Sequence, residues 1–193
     1  MKTESAFLIS GLTFLIFRFW PWPGGAEMEM IVLSLLASLY LFGAYYFFSD
    51  RSTSNQNIPL SIAGGIALST VVTGFLFKIL YLSGSKEMLI IGLPATFIVL
   101  GLTFYLRNSR ANKESTQDLT RYYSNMIFRL TLWLFLGTAA FFIPEESLIK
   151  FTYRRDPDLA TLQLLRHNAT TGEEADKYEN LIREHLSKKA ANE

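Results

Sequence analysis

The stretch FRFWPWPGGAEMEM, residues 17–30, decides the fold because it is a polar interruption between two apolar runs. It contains an arginine, two Trp-Pro pairs, two glycines and two glutamates, whereas Ala6 to Phe17 and Ile31 to Phe48 on either side are almost entirely apolar. A helix that crosses a bilayer needs about 20 mostly apolar residues. The stretch is therefore typical of the tip of a helical hairpin in a membrane protein.

The composition of the whole chain also indicates a membrane protein. Of 193 residues, 50% are hydrophobic, 15% are aromatic and only 18% are charged, which is typical of membrane proteins. Five segments are predicted to span the membrane: Ser5 to Trp20, Met28 to Phe48, Pro59 to Leu82, Met88 to Leu106 and Asn125 to Phe142. The lipid bilayer is then the first partner of the chain, while a net charge of +1 gives no reason to expect nucleic-acid binding.

The charges divide the chain into two parts. Residues 153–193 carry seven Lys/Arg and eight Asp/Glu, whereas the charges before them lie mostly between apolar runs. We expect an all-α membrane protein with a transmembrane domain over 1–152 and a soluble helical tail over 153–193. Within the domain, one hairpin covers about 5–48, a second about 59–106, and a fifth helix about 125–142.

The tail carries start signals for two helices, which predict a short hairpin outside the membrane. Asp156 followed by Pro157 is a cap with proline in the first turn, and Thr171 with Glu174 has capping-box spacing. Leucines recur on one side of each predicted helix, so each apolar stripe needs cover from the other helix, the membrane surface or a partner.

Orientation follows from the basic residues of the short loops, since cytoplasmic loops hold the excess. The 107–124 loop has four Lys/Arg, whereas the loops on the other side offer only Arg18, Lys78 and Lys86. We expect the N-terminus in the cytoplasm and the tail outside it. One alternative makes residues 1–26 a cleaved signal peptide, because Gly24 and Ala26 are small residues at suitable spacing.

The opening stretch returns 60 residues later as FKILYLSGSKEMLIIGL, residues 77–93. In the ungapped alignment Arg18 matches Lys78, Gly24 matches Gly84, and Glu27 matches Glu87. A base ends one span, glycine allows a tight turn, and a glutamate opens the returning helix at its positive end. The repeat predicts two parallel hairpins with charged outer tips, and Arg18, Glu27, Lys78 and Glu87 are the candidate binding residues.

The second copy resembles a known family. Phe-Lys-Ile, a glycine-bearing turn and Met-Leu-Ile-x-Gly-Leu at Phe77 to Leu93 are similar to the membrane hairpin of GldL-type subunits of the gliding and type 9 secretion motor of Bacteroidota. The resemblance covers about 30 residues. It implies a multi-pass protein of the bacterial inner membrane with extracytoplasmic hairpin tips and a capacity to oligomerise.

The chain departs from that family at the residue that matters for a motor. GldL-type subunits carry a membrane-embedded glutamate, thought to carry protons, shortly after the Gly-Leu pair. Here that position is Thr96, and in the first copy it is Leu36. Because a proton relay needs a titratable group at depth, the substitution argues against a motor role.

Other residue patterns give no sign of catalysis. His167 and His185 lack metal-ligand spacing, there is no cysteine, and no nucleophile triad or phosphate-binding glycine loop is recognised. We therefore expect no enzyme activity, no cofactor and no metal. Small residues at fourfold spacing, Ser34/Ser38 and Ala63/Ala67, suggest close helix packing.

The function predicted from these features is that of a non-catalytic subunit or scaffold of a bacterial envelope assembly, with a membrane-protein partner or a second copy of itself. Two alternatives stay open. One is a transporter, channel or motor-associated subunit, and the other is a lipid-acting enzyme that uses the four charged tip residues.

Overall fold

In the computed structural model the described part of the chain consists of helices joined by short turns. The structure describes Ile9, Thr13 and residues 25–48, 57–82, 84–111, 117–154 and 156–192, with side chains at a few helix ends excepted. We number its helices α1 (Gly25–Phe48), α2 (Ile58–Ile79), α3 (Ser85–Ala111), α4 (Gln117–Phe142), α5 (Glu145–Thr152), α6 (Pro157–His167) and α7 (Gly172–Asn192). The predicted all-α class is confirmed for these residues.

Helix α2 is the central helix of the first compact unit, Met1–Phe142, because it packs against α1, α3 and α4. Its start is defined by Asn57, whose side chain accepts a hydrogen bond from the Leu60 N–H at 3.4 Å, and by Pro59 in the first turn. Buried apolar side chains from all four helices form one core. Its fully enclosed members include Leu36, Tyr40, Leu68, Val71, Val72, Leu89, Tyr123, Met126 and Leu130.

Glycines let α3 and α4 approach α2 closely at Val71. A Cβ atom added to Gly92 would lie 3.1 Å from the Val71 backbone nitrogen and 2.9 Å from its Cγ2. On the other side, a Cβ atom on Gly137 would lie 2.8 Å from Val71 Cγ1. In a lipid bilayer there is no hydrophobic driving force between helices. Close packing at small residues then stabilises the contact between them.

The small-residue pairs expected at helix crossings do not all lie there. Ala67 is buried in α2, but Ser34, Ser38 and Ala63 are exposed. Fourfold spacing places two residues on one side of a helix, yet it does not indicate which side faces a neighbour.

Three of the described helices are long and apolar enough to cross a membrane. They are Ile58–Ile79, Ser85–Ser109 and Tyr122–Phe142, and α1 adds a shorter apolar portion, Met30–Phe42. The predicted span from Ser5 to Trp20 lies outside the described residues except for Ile9 and Thr13, which are helical. Large apolar side chains cover the outer surface of α3 and α4, namely Ile90, Ile91, Phe97, Ile98, Phe128 and Phe135. Such a surface is typical of a protein surrounded by lipid.

The second compact unit, Ile143–Glu193, consists of α5, α6 and α7. Helix α6 packs against both α5 and α7, around Ile149, Leu159, Ala160 and Ile182. The sequence predicts the domain boundary after residue 152, whereas this division falls ten residues earlier, between Phe142 and Ile143. The reason is α5, a short amphipathic helix whose Ile149 is buried within the second unit.

Candidate functional site

The turn between α2 and α3 is the hairpin tip that the sequence marks as a binding site. Helix α2 ends with the Leu82 N–H donating to the Phe77 carbonyl at 2.9 Å and the Tyr81 N–H donating to the Lys78 carbonyl at 3.4 Å. This is the Schellman pattern, with Tyr81 at φ 57° in the left-handed position usually held by glycine. Gly84 then takes φ 89° before α3 begins, so the glycine turn predicted there is present but is shared with a tyrosine.

The two charged residues of this tip differ in exposure. Lys78 is only 2% exposed, whereas a lysine that reaches the interface would keep its ammonium group in water. Glu87 is in the first turn of α3 and is exposed. Among the described residues, no ion pair joins the two side chains. The grouping of Lys78 with Glu87 in a binding site stays a prediction from the sequence.

The first tip can be located only in part. Arg18 lies outside the described residues. Glu27 is in the first turns of α1, but its side chain also lies outside the described part. The equivalence of the two tips therefore stays a prediction from the sequence.

At the other end of the bundle, polar groups join α2 to α4. The hydroxyl groups of Ser61 and Tyr122 share a hydrogen bond of 2.5 Å, and Tyr122 also donates to the Asn57 carbonyl at 3.5 Å. Deeper along α4, Trp133 Nε1 donates to the Tyr40 hydroxyl of α1 at 3.3 Å. These bonds satisfy buried polar groups and fix the register of three helices, which is a structural role.

Arg129 is a buried charged residue within a candidate span. It lies in α4, seven positions after the start of the candidate span at Tyr122, and is 7% exposed. The sequence suggests only a topological signal, because Arg129 follows a basic loop closely. Its position inside an apolar run is the feature that indicates burial. An ionisable residue within a membrane span usually faces the protein interior or a functional site.

Thr96 is also fully enclosed, in the middle of α3. Its Oγ1 has no hydrogen-bond partner among the described residues, although a helical threonine commonly bonds the carbonyl four residues earlier. Thr103, one heptad further on, does make that bond, to the Val99 carbonyl at 2.7 Å. Thr96 is thus an interior residue of α3.

The second unit contains the best-defined electrostatic cluster, centred on Asp156. One of its oxygens accepts the Leu159 N–H at 3.1 Å as the cap of α6, and the other lies 2.9 Å from Lys189 Nζ. His185 Nε2 lies 3.1 Å from both oxygens. The hydrogen bond from Lys189, followed by that from the Leu159 N–H, lowers the pKa of Asp156 from 3.8 to about 2. The predicted cap is confirmed, and it also holds α7 against α6.

Two further contacts between a basic side chain and a carboxylate connect the helices of this unit. His167 Nε2 lies 2.7 Å from Glu145 in the first turn of α5. Glu179 of α7 contacts Arg166 of α6 at 3.2 Å and Arg183 at 2.8 Å. The hydrogen bond from Arg183, with the charges of both arginines, lowers the pKa of Glu179. Both histidines thus bind carboxylates across helices, and residue spacing gives no signal for these pairs because their partners are distant in sequence.

Within the described ranges, no three His, Cys, Asp or Glu side chains are grouped in a way that could hold a metal ion. The cluster around Asp156 is made of mutually compensating charges and holds α6 and α7 together. No family model, curated protein or solved structure matches this chain.

Proposed function

We propose that the chain is a non-catalytic, multi-pass membrane subunit that holds a folded module beside the bilayer for assembly with other proteins. The observation that carries the proposal is the pairing of two different units in one chain. One is an apolar helical bundle with three helices of membrane-spanning length, and the other is an ion-paired three-helix unit. A scaffold needs this combination of an anchor and a presenting domain.

The finer topology is part of the same proposal. Five spans, an N-terminus in the cytoplasm and an extracytoplasmic tail agree with the distribution of Lys and Arg along the sequence. The resemblance of residues 77–93 to GldL-type hairpins supports a place in a bacterial inner membrane. Thr96, where that family has glutamate, makes the chain a companion of an assembly rather than its proton carrier.

The tail offers the surface through which assembly is proposed. Helices α6 and α7 cover each other only in part, because Leu165, Leu181 and Leu186 are exposed while Leu159 and Ile182 are buried. The occupant we propose is a membrane-protein partner or a second copy of this chain. We infer that these exposed leucines are the residues through which the tail contacts its partner.

The test is the mass and composition of the particle purified from native membranes in mild detergent. We expect a stoichiometric companion or an oligomer with the wild-type chain, and its loss with Leu181→Glu and Leu186→Glu together. The matched control is Asn180→Glu with Ser187→Glu, which adds the same two charges at exposed polar positions of α7 and leaves the leucines intact. A monomer of this chain alone, or an assembly indifferent to both leucine substitutions, would contradict the proposal.

A transport role is the second candidate, and Arg129 is the observation that favours it. A buried arginine inside a candidate span is the kind of group that lines ion or substrate paths. The discriminating measurement is solute flux in proteoliposomes with wild-type protein and with Arg129→Gln. Flux that depends on Arg129 would replace the scaffold proposal, whereas its absence leaves Arg129 a structural role in the bundle.

A further inference from the structure

Helix α5 presents an exposed surface of mixed aromatic and basic character. Ser147, Lys150, Phe151 and Arg154, the last in the turn directly after the helix, are spaced i, i+3, i+4 and i+7, and all are exposed. This spacing places residues on one side of a helix. The opposite side carries Ile149, which is buried against the rest of the unit. We call the four residues the cationic face of α5.

The cationic face combines an aromatic ring with two positive charges. Phe151 is 50% exposed, and the guanidinium carbon of Arg154 lies 5.5 Å from the centroid of its ring. Lys150 is beside them. Glu146 stands exposed at the edge of the face, while Glu145 points away and pairs with His167. An aromatic side chain flanked by Lys and Arg is the composition of helices that lie at a membrane surface, with the ring at the acyl boundary and the cations near phosphates.

The short connection between α4 and α5 limits how far the cationic face can lie from the membrane. Only Ile143 and Pro144 separate α5 from the end of the candidate span Tyr122–Phe142. The three Cα-to-Cα steps from Phe142 to Glu145 reach at most about 11 Å, so α5 begins close to the point where α4 leaves the bilayer. Phe142, the last residue of that span, is itself 75% exposed. This step rests on the proposed membrane insertion of α4.

We propose that the cationic face of α5 lies on the bilayer surface where α4 emerges and binds anionic phospholipid headgroups. Phe151 enters the boundary of the acyl chains, and Lys150 and Arg154 contact phosphate oxygens, with the planar guanidinium able to form two hydrogen bonds to one phosphate. The lipid is thereby a specific partner of the extramembrane unit and fixes that unit at the membrane surface.

The absence of native cysteine allows a direct test in the full-length chain. Spin labels are placed at Ser147→Cys on the cationic face, at Phe135→Cys on the exposed side of α4, and at Ser187→Cys on α7. Oxygen and nickel-chelate accessibilities are then measured in nanodiscs of phosphatidylglycerol or phosphatidylcholine. We expect a higher oxygen-to-nickel ratio at residue 147 than at residue 187, and the highest ratio at residue 135.

Two sets of variants test the chemistry of the face, each with the label at residue 147. Phe151→Ser should lower the ratio to the value at residue 187 in both lipids. Lys150→Gln with Arg154→Gln should remove the preference for phosphatidylglycerol, with the ratio of surface-bound to unbound populations of the face falling about fivefold for each lost cation. Amide exchange in α6 should stay unchanged, since none of these side chains is in the core of the unit.

Three results would overturn the proposal, and they differ from one another. A label at residue 147 that behaves like residue 187 in both lipids means that the face is in water. A label at residue 147 shielded from both oxygen and nickel means that protein covers it instead. A water-like label at residue 135 means that α4 is not in the bilayer, and then the proposed membrane function fails as well.

Discussion

Val71 illustrates how single residues govern the packing of the bundle. It lies between Gly92 of α3 and Gly137 of α4, and at both crossings an added methyl group would come closer than side chains normally tolerate. The sequence suggests close packing by small residues but places it partly elsewhere, at Ser34, Ser38 and Ala63. Which small residues face a neighbour depends on the rotation of each helix, and that is decided by tertiary packing.

Gly92→Ala should therefore destabilise the bundle. The new methyl group meets backbone at 3.1 Å as well as a side chain, so α2 and α3 must separate, at a cost of about 1–3 kcal/mol. Gly101→Ala is the matched control in the same helix, because an added Cβ there meets nothing within 4 Å. Thermal unfolding in detergent should show a lower midpoint for the first variant only. Equal midpoints for the two variants would contradict the packing at Val71.

Replacing the Thr96 hydroxyl should not destabilise the bundle, in contrast to Gly92→Ala. Its buried hydroxyl has no hydrogen-bond partner in the described part of the chain, so Thr96→Val removes an uncompensated polar group while keeping the shape. We expect an unchanged or slightly raised unfolding midpoint. Thr103→Val, which removes a hydroxyl bonded to the Val99 carbonyl, should lower the midpoint. The opposite order, with Thr96→Val the more damaging of the two, would mean that the Thr96 hydroxyl has a partner after all.

Asp156 links a single ionisation to the stability of the tail. Its pKa is lowered to about 2 from 3.8, so the native state favours the carboxylate. The associated stability is present above about pH 4 and is lost as the pH falls toward 2, amounting to about 1 kcal/mol after allowance for solvent screening. At neutral pH, Asp156→Asn should remove the ion pairs but keep a cap, whereas Asp156→Ala should also lose the cap, worth about 1 kcal/mol.

The measurement is hydrogen exchange of the α6 and α7 amides in the full-length protein. We expect protection to fall in the order wild type, Asp156→Asn, Asp156→Ala, and the wild type to approach Asp156→Asn at acidic pH. Lys177→Gln, an exposed change on α7, serves as the control. Identical protection in the wild type and in Asp156→Asn would show that the ion pairs contribute nothing.

Helices differ in how far the sequence determines them. The apolar runs predict α2, α3 and α4, and the capping signals predict the start of α6, because these features act within one helix. For α7, the Glu174 N–H does donate to Thr171 Oγ1 at 3.3 Å, but the Glu174 carboxylate accepts from Thr170, one residue before the expected partner. Contacts between helices are harder to anticipate. Lys78 is buried, and Asp156 pairs with Lys189, 33 residues away.

The turn between α2 and α3 depends on backbone conformation, and this gives a test at the level of the hairpin. Gly84 has φ 89°, and a Cβ atom there would meet nothing within 4 Å, so the whole cost of Gly84→Ala is conformational strain of about 1 kcal/mol. We expect a lower unfolding midpoint for Gly84→Ala. Unlike Gly92→Ala, this variant should not force α2 and α3 apart. Gly172→Ala, also in open space but without a positive φ, should leave the midpoint unchanged.

At the scale of the whole molecule, the two compact units should respond to damage separately. The cluster around Asp156 connects only helices of the second unit, and Val71 connects only helices of the first. Because sites without shared partners are usually additive, Asp156→Ala should raise exchange across α6 and α7 without changing α2, and Gly92→Ala should do the reverse. The double variant should show the sum of both effects. Exchange that rises in both units after either single change would mean that they unfold as one cooperative body, and the tail would then be part of the membrane fold rather than a module presented by it.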